Sequence, residues 1–536
     1  MKEVSDEFIL EYVTDKLGFK PYAIIAYGSR VAGYATATSD YDYIIVLEGF
    51  KEKIRYLYER IDSNIYASLL LVDKSFFEED IVEGKHGEFV AGRLYNIYRC
   101  VYNEKYVKDM ETILKLRAII EELCILRNNY GDLFPFLLIP LKYILFARLK
   151  KRMVAYPPVK YSYYKTYYGP QGERNLKSTL NGFREAAEIL DREGLIKFEN
   201  GYISVPTNLK TCNFKDIIKI FSRSFKMYIT HGMSAKVDLK VVFDEFSSKV
   251  KRGLESIRVP LELRSPETLL ELREGMIIHT RKPLDDIIKA LHGKQTEILS
   301  FKRKHLFSEL YYIDISSTGS NAIRMVYKKY SYLFLFKWLL IVTWLLGLKR
   351  FVISPRKRMI NEYRGYLELR ELGISVPKVY AILWKDNSMI IEYIDGKTLN
   401  KFSGESLVNL YYNIGFILGR IHSANGLSLG DVKPNNIIIS SGSIYIVDLE
   451  QYGIDNNLKW DVGEFIYYSN VFWSMKRNFH TYIRKFLEGY REGLGDDILF
   501  KEVIRKVIGL RFIIAFLPFV RIDRIIEIRN IIKEFL

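Results

Sequence analysis

Two hydrophobic periods alternate along this chain, and they mark out its elements before any side-chain chemistry is considered. "AIIAY" from Ala23 is an apolar run that breaks at Gly28 and Ser29, and "DYDYIIVLE" from Asp40 is rich in β-branched residues and tyrosine, so both predict strands. "METILKLRAIIEELCILRNN" from Met110 repeats apolar residues at i, i+3 and i+4 and predicts a helix. Another helix is expected in "LKSTLNGFREAAEILDREG", ending near Gly194, with "LIKFENGYISV" forming a hairpin that turns at Asn200 and Gly201. Further on, "AIRMVYKKYS" alternates like a strand, and "IGFILGRIHSANG" reads as a helix entering a tight loop.

Length divides this pattern into domains. At 536 residues, and about 150 residues per domain, the chain needs several cores. The expected class is α+β multidomain. The expected pieces are an α/β domain over residues 1–115, a helical middle over 116–295 and a third domain over 296–536. Plentiful apolar residues and no low-complexity tract exclude a disordered scaffold. Lys and Arg exceed acidic residues by 80 to 64, a formal charge of +16, which suits polyanionic partners but also an ordinary basic surface. Cys100, Cys124 and Cys212 are odd in number and far apart, giving neither a disulfide framework nor a thiolate metal site. The opening "MKEVSDEFILEYV" lacks a signal peptide's basic and apolar regions, so a cytoplasmic location is expected.

Two middle segments carry partner expectations. In "AYPPVKYSYYKTYYGPQGERN" the Pro pair predicts an extended segment, and Lys160 and Lys165 among tyrosines would offer charges to RNA or DNA phosphates and faces to bases. The helix and hairpin that follow resemble a winged-helix module, which serves nucleic-acid binding or protein docking; both remain open. The apolar stretch 332–348, with its core from Trp338 to Leu348, is shorter than the roughly 20 residues that span a bilayer. It fits an interfacial helix in peripheral membrane contact or a helix buried within the fold.

The chemistry starts at "AYGSRVAGYATATSDYDYIIVLE". Side chains alternate along a strand, so Asp40 and Asp42 share a face, where they repel unless a hard cation such as Mg²⁺ sits between them. Gly28 lets the backbone approach a phosphate, and Ser29 offers a hydroxyl. This stretch resembles the DNA polymerase beta-like nucleotidyltransferases, whose mark is a Gly-Ser turn followed by Asp-x-Asp on a strand. The resemblance implies Mg²⁺ on Asp40 and Asp42 and the triphosphate of ATP or another nucleotide at Gly28 and Ser29. That family adds a third carboxylate on a following strand. Here "NIYASLLLVDKS" offers Tyr66, Ala67 and Ser68, with Asp73 at the far end as a poor substitute.

The second constellation is "LGDVKPNNIIISSGSIYIVDLEQ". Phosphoryl transfer needs a carboxylate at the acceptor hydroxyl, a cation at the moving phosphoryl group and oxygen ligands for Mg²⁺, and this stretch supplies all three. It resembles the catalytic loop of the protein kinase-like superfamily, which implies a bilobal domain over residues 296–536. The resemblance implies Asp431 as base, Lys433 as its companion, and Asn436 and Asp448 as Mg²⁺ ligands. "LGD" and "DLE" replace the usual His-Arg-Asp and Asp-Phe-Gly. They look like the atypical branch of RIO kinases, the small kinase of the tRNA threonylcarbamoylation complex, aminoglycoside phosphotransferases and lipopolysaccharide-core kinases. By the same resemblance Glu362 partners a strand lysine, Ile391 to Tyr393 hold adenine, Gly319 belongs to a phosphate-covering loop, and Asp461 is structural. Lys328, Lys329 and Lys337 all compete for the lysine; Lys328 follows "MVY" and is favoured.

The expectation is an ATP- and Mg²⁺-dependent transferase acting on a protein Ser/Thr hydroxyl, fused to a nucleotidyltransferase domain. The alternatives are a small-molecule or sugar kinase, and a nucleotide-sensing, nucleic-acid-binding regulator whose nucleotidyltransferase fold is inactive.

Overall fold

The computed structural model describes residues 4–62, 65–206, 259–293, 296–303, 309–317, 323–332, 349–402, 406–453, 457–473 and 479–536. Gly319, Lys337, Cys212 and nearly all of the apolar stretch 332–348 lie outside the described residues. The chain divides into two compact units, Met1–Glu271 and Leu272–Leu536.

The first unit opens with α1 (Asp6–Glu11) and a five-stranded sheet in the order β3-β4-β2-β1-β5. Its strands are β1 (Pro21–Tyr27), β2 (Tyr41–Leu47), β3 (Ile54–Asp62), β4 (Ile65–Asp73) and β5 (Arg99–Tyr102). β2 runs antiparallel to β1 and parallel to β4, and its residues are buried on both faces from Asp42 to Leu47, so they read as an apolar run. Between β1 and β2 the chain makes a single short helix, α2 (Gly28–Ala32), while α3 (Lys74–Glu83) follows β4. The core beneath the sheet holds Ile24, Tyr43, Ile45, Leu69 and Leu71 with Ile9 and Val13.

Helix α4 (Glu104–Tyr130) leads to a short strand β6 (Leu137–Pro140) and helices α5 (Leu141–Ala155), α6 (Val159–Tyr168) and α7 (Gly172–Arg192). The hairpin β7 (Lys197–Glu199) and β8 (Tyr202–Ser204) follows, with β8 pairing antiparallel to β6. The segment after Pro157 and Pro158 is not extended as its sequence predicts. Pro158 has helical backbone angles (φ −61°, ψ −24°) and caps α6, because a fixed φ near −65° also pre-organises a helix start.

A short helix, α8 (Leu261–Arg264), precedes β9 (Glu271–Leu272), which spans the division point. The second unit has a six-stranded sheet in the order β10-β14-β15-β13-β12-β11. These are β10 (Met276–Ile278), β11 (Thr296–Arg303), β12 (Leu310–Ser317), β13 (Ile323–Lys329), β14 (Val379–Leu383) and β15 (Ser388–Glu392). Helix α9 (Leu284–His292) packs Ile287 and Ile288 against Ile313, Met325 and Ile390. Helix α10 (Pro355–Glu371) starts with proline at its first position, where the missing N–H costs nothing.

Beyond the sheet come β16 (Lys397–Thr398), α11 (Ser406–Asn425), the hairpin β17 (Ile437–Ser440) and β18 (Ser443–Ile446), and then a helical region. Its helices are α12 (Leu458–Trp473), α13 (Phe479–Leu494), α14 (Asp497–Val507), α15 (Leu510–Phe516) and α16 (Ile522–Lys533). None of the described helices is long and apolar enough to cross a membrane.

Candidate active site

In the first unit, β1 ends at Tyr27 and Gly28 turns the chain with φ +82°. A Cβ on Gly28 would lie 2.0 Å from Asp42 Oδ2, so only glycine fits here. Asp42 sits on β2 opposite Tyr27 and is 8% exposed, while Asp40 immediately precedes the strand. Ser29 is in the first turn of α2. The turn and the carboxylates singled out from the sequence therefore meet at the same end of the sheet.

The parallel register shows which residue of β4 stands beside these carboxylates. Ser68 on β4 lies directly opposite Asp42, and its hydroxyl donates to Asp40 Oδ2 at 2.9 Å while lying 3.0 Å from the Tyr56 hydroxyl. Asp73 is five residues further along β4, paired with Leu47 at the opposite end of the strand. There it caps α3, accepts from Phe50 N at 2.8 Å and pairs with Lys53 at 3.2 Å. Burial alone would raise its pKa. The hydrogen bonds from Ser75 and Lys53 and the Lys53 charge outweigh burial and hold the carboxyl below its usual range. Asp73 is thereby engaged at the opposite end of β4 from Asp40 and Asp42.

In the second unit Lys328 is the inward-facing residue near the end of β13, and Lys329 is exposed. The Lys328 ammonium lies 2.6 Å from Glu362 Oε2 on α10, 2.6 Å from Asp448 Oδ1 and 3.0 Å from Glu450 Oε1. Its three protons thus face three carboxylates. Burial disfavours its charge, but Asp448, Glu362 and Glu450 together hold its pKa well above the ordinary value. Glu362 is fully buried, which raises its pKa against the pull of Lys328, and it also accepts hydrogen bonds from Tyr330 (2.8 Å) and Tyr366 (2.6 Å). Glu450 carries a second cation, Arg358, whose Nε lies at 2.5 Å. Glu450 stands in the "DLE" that departs from Asp-Phe-Gly, but its place at Lys328 was not legible, because the lysine lies more than a hundred residues earlier.

Asp448 has a left-handed backbone (φ 65°), a conformation that Asp tolerates better than most residues and that recurs where a side chain must be aimed. Burial opposes its charge, yet Lys328 holds its pKa below the usual range, so it stays a carboxylate. Oxygens of Glu362, Asp448 and Glu450 lie within 4.8 Å of one another, a donor set of the kind a hard divalent cation accepts.

The residues of "GDVKPNN" come together beside this cluster. Gly430 has φ +83°, and a Cβ there would lie 2.4 Å from the Gln451 carbonyl oxygen, which accounts for "LGD". Lys433 Nζ is 2.5 Å from Asp431 Oδ1, and Asn436 donates to the Asp431 carbonyl at 3.0 Å. Val447 N bonds to Asn436 O at 3.0 Å, tying the loop to the segment that carries Asp448. Asp461 is fully buried and accepts from Leu429 N (2.5 Å) and Gly430 N (2.8 Å), with His422 at 3.1 Å. Ile391 on β15 is buried opposite Val326, and Tyr393 stands edge-on to Tyr312 at 5.5 Å.

Comparisons with known proteins concern the second unit. Residues 354–460 match the RIO1 family, described as the RIO domain. The KEOPS complex subunit Bud32 of Pyrococcus abyssi is 27% identical over 165 residues, covering 28% of this chain and 72% of that protein. A probable serine/threonine-protein kinase BUD32 homolog of Archaeoglobus fulgidus is 26% identical over 28% of this chain and 78% of its own length. Among solved structures, the amicoumacin kinase hAmiN in complex with AMP-PNP, Ca2+ and Ami is 14% identical, with a TM-score of 0.27, covering 47% of this chain and 93% of that one. The C-terminal region is therefore a RIO-type, kinase-like region, similar to Bud32.

Proposed function

We propose that residues 296–536 form an ATP- and Mg²⁺-dependent phosphotransferase domain whose acceptor is a protein Ser or Thr hydroxyl. The observation that carries this reading is the convergence of Lys328, Glu362 and Asp448 at one point, in the same unit as a loop that pairs Asp431 with Lys433. Asp431 takes the proton of the acceptor hydroxyl as its oxygen bonds to the γ-phosphorus, and the bond from that phosphorus to the bridging oxygen of ADP breaks. Lys433 carries positive charge to the moving phosphoryl group, while Lys328 holds the α- and β-phosphates. Asp448 and Asn436, with Glu450 beside them, would hold Mg²⁺, which neutralises phosphate charge when bound.

In the first unit, the reading best supported is Mg²⁺-dependent nucleotide binding at Asp40, Asp42, Gly28 and Ser29 by a nucleotidyltransferase-like domain over residues 1–115. Ser68 opposite Asp42 favours binding over transfer, because a neutral hydroxyl is no general base and lacks the negative charge by which a carboxylate holds a second metal ion. Of the middle expected over residues 116–295, the part before Leu272 would be winged-helix-like, with α7 and the β7–β8 hairpin as helix and wing and with Lys160 and Lys165 on α6 available to RNA or DNA phosphates, while β10 and α9 belong to the sheet and core of the second unit.

Incubation of the full chain with γ-labelled ATP, alone and with cell extract, tests the reading. Mg²⁺-dependent label on Ser or Thr that is lost in Asp431→Ala and Asp448→Ala supports it. Equal labelling in both variants refutes it, and label on a small molecule alone moves the acceptor to that class.

A further inference from the structure

The catalytic loop is backed by a second charged cluster that the phosphoryl-transfer scheme leaves unused. Helix α12 carries Trp460, Asp461 and Glu464. Asp461 holds the backbone N–H groups just before Asp431, and Glu464, one turn on, holds that of Val432 just after it at 2.9 Å. Glu464 Oε2 also accepts from the Trp460 indole at 3.0 Å, so two N–H donors occupy that oxygen. The other, Oε1, faces Lys433 Nζ at 3.7 Å, whereas Lys433 lies 2.5 Å from Asp431. Lys349 completes the cluster. It is 7% exposed, its ammonium has no hydrogen-bond partner among the described residues, and it lies over the rings of Phe351 (4.8 Å) and Trp460 (5.3 Å).

From this geometry we infer that Glu464 is a positioning residue for Lys433, holding the loop through Val432 and competing with Asp431 for the Lys433 ammonium. The inference rests on the phosphotransferase reading. Burial first, then the charge of Asp431, pushes the Glu464 carboxyl up to about 8, with Asp461 adding to the rise and Lys433 and Lys349 opposing it. Lys349 is itself pushed down by burial against the attraction of Glu464, Asp461 and Asp431. Further titratable groups at the cluster, among the described residues, are the Tyr468 ring, 5.1 Å from Lys433 Nζ, and His422, 3.1 Å from Asp461 and 2.9 Å from the Tyr490 hydroxyl. At neutral pH the proton sits on Oε1, because Oε2 is already taken, and Lys433 stays with Asp431. On the alkaline side the Glu464 carboxylate draws Lys433 away from Asp431 and from the transferred phosphoryl group.

The test is the pH dependence of kcat for the full chain, from neutral to alkaline pH, in wild type, Glu464→Gln and Lys349→Met. The wild-type rate should fall with a midpoint near 8. Glu464→Gln never ionises, so its rate relative to wild type should rise about tenfold between one unit below that midpoint and one unit above. Lys349→Met removes a cation that favours the carboxylate, so its midpoint should move to higher pH. Retention of the wild-type alkaline limb in Glu464→Gln, or a downward shift in Lys349→Met, overturns the inference. Absence of turnover in wild type at every pH refutes the phosphotransferase reading separately. Infrared titration then decides about Glu464: a protonated-carboxyl band that disappears near 8 in wild type and is missing from Glu464→Gln supports the inference, and no such band in wild type overturns it.

Discussion

Substitution at Lys328 should cost both stability and activity, and substitution at Asp448 activity with little stability, because three carboxylates there face two cations. The carboxylates are Glu362, Asp448 and Glu450, and the cations are Lys328 and Arg358. Lys328→Met leaves the fully buried Glu362 and its neighbours with a single guanidinium. Breaking a buried pair from one side costs about 3–5 kcal/mol. At about 2–4 °C per kcal/mol for a domain of this size, the melting midpoint of the second unit should fall by roughly 6–20 °C. Asp448→Asn instead leaves two acids to two cations and keeps an oxygen for Lys328. The Asp448 side chain is 40% exposed, so screening limits the loss to about 1 kcal/mol, offset by relief of repulsion against Glu362 and Glu450. Turnover should fall in both variants, and in Asp448→Asn it should fall without the loss of stability. A lost metal ligand forfeits a share of several kcal/mol of charge stabilisation, and at about 1.4 kcal/mol per tenfold the rate should drop about a hundredfold or more. Scanning calorimetry beside labelled-ATP turnover reads both quantities. A Lys328→Met protein as stable as wild type, or an Asp448→Asn protein destabilised as much as Lys328→Met, would refute the charge argument.

Asp431→Asn should lower phosphoryl transfer by about 10²–10⁴-fold while ATP affinity by calorimetry changes little, since a base touches the acceptor rather than the nucleotide; a large loss of ATP affinity would contradict the role. Ser68→Asp installs a carboxylate opposite Asp42, so in thermal scans the first unit should melt lower without Mg²⁺ and gain more from added Mg²⁺ than wild type does; an unchanged Mg²⁺ response would show that no metal sits there. Asp73→Asn removes a charge whose folded pKa is depressed, so that charge stabilises above the unfolded value of about 3.9 and its contribution is lost as pH falls through the lower folded value. Denaturant unfolding should therefore show a gap of about 1 kcal/mol from wild type at neutral pH that closes in acid, and a gap that persists in acid would refute the assignment.

How much of this was legible in the sequence depended on how far apart the cooperating residues lie. The Gly28 turn and the Asp40–Asp42 pair are within fifteen residues of each other, and backbone sterics force their meeting: the positive φ and the close approach of Asp42 both demand glycine. Lys328 is favoured over Lys329 in the sequence because it follows "MVY", and the structure adds the physical reason: strand alternation turns Lys328 inward and Lys329 out. The proline pair misled because a fixed φ serves an extended chain and a helix start equally well, and the residues after Pro158 decide between them.

What the sequence could not show is register and tertiary partnership. Ser68 and Asp73 are both polar residues of one strand, and only the parallel pairing of β4 with β2 separates them, setting Ser68 opposite Asp42 and Asp73 opposite Leu47. The same limit hid Glu450 and Glu464. Each sits two or three residues from an aspartate the motif did name, and each acts on a lysine, Lys328 or Lys433, brought to it by another element. A motif records the groups that the chemistry needs in a fixed spacing. The groups that set the charge of those residues come from whichever element the fold packs behind them, and a burial that raises Glu464 or holds Lys328 charged is a property of that packing. The departures from family pattern in "LGD" and "DLE" are the points where this packing reaches the sequence: Gly430 yields space to the Gln451 carbonyl, and Glu450 adds a third carboxylate to Lys328.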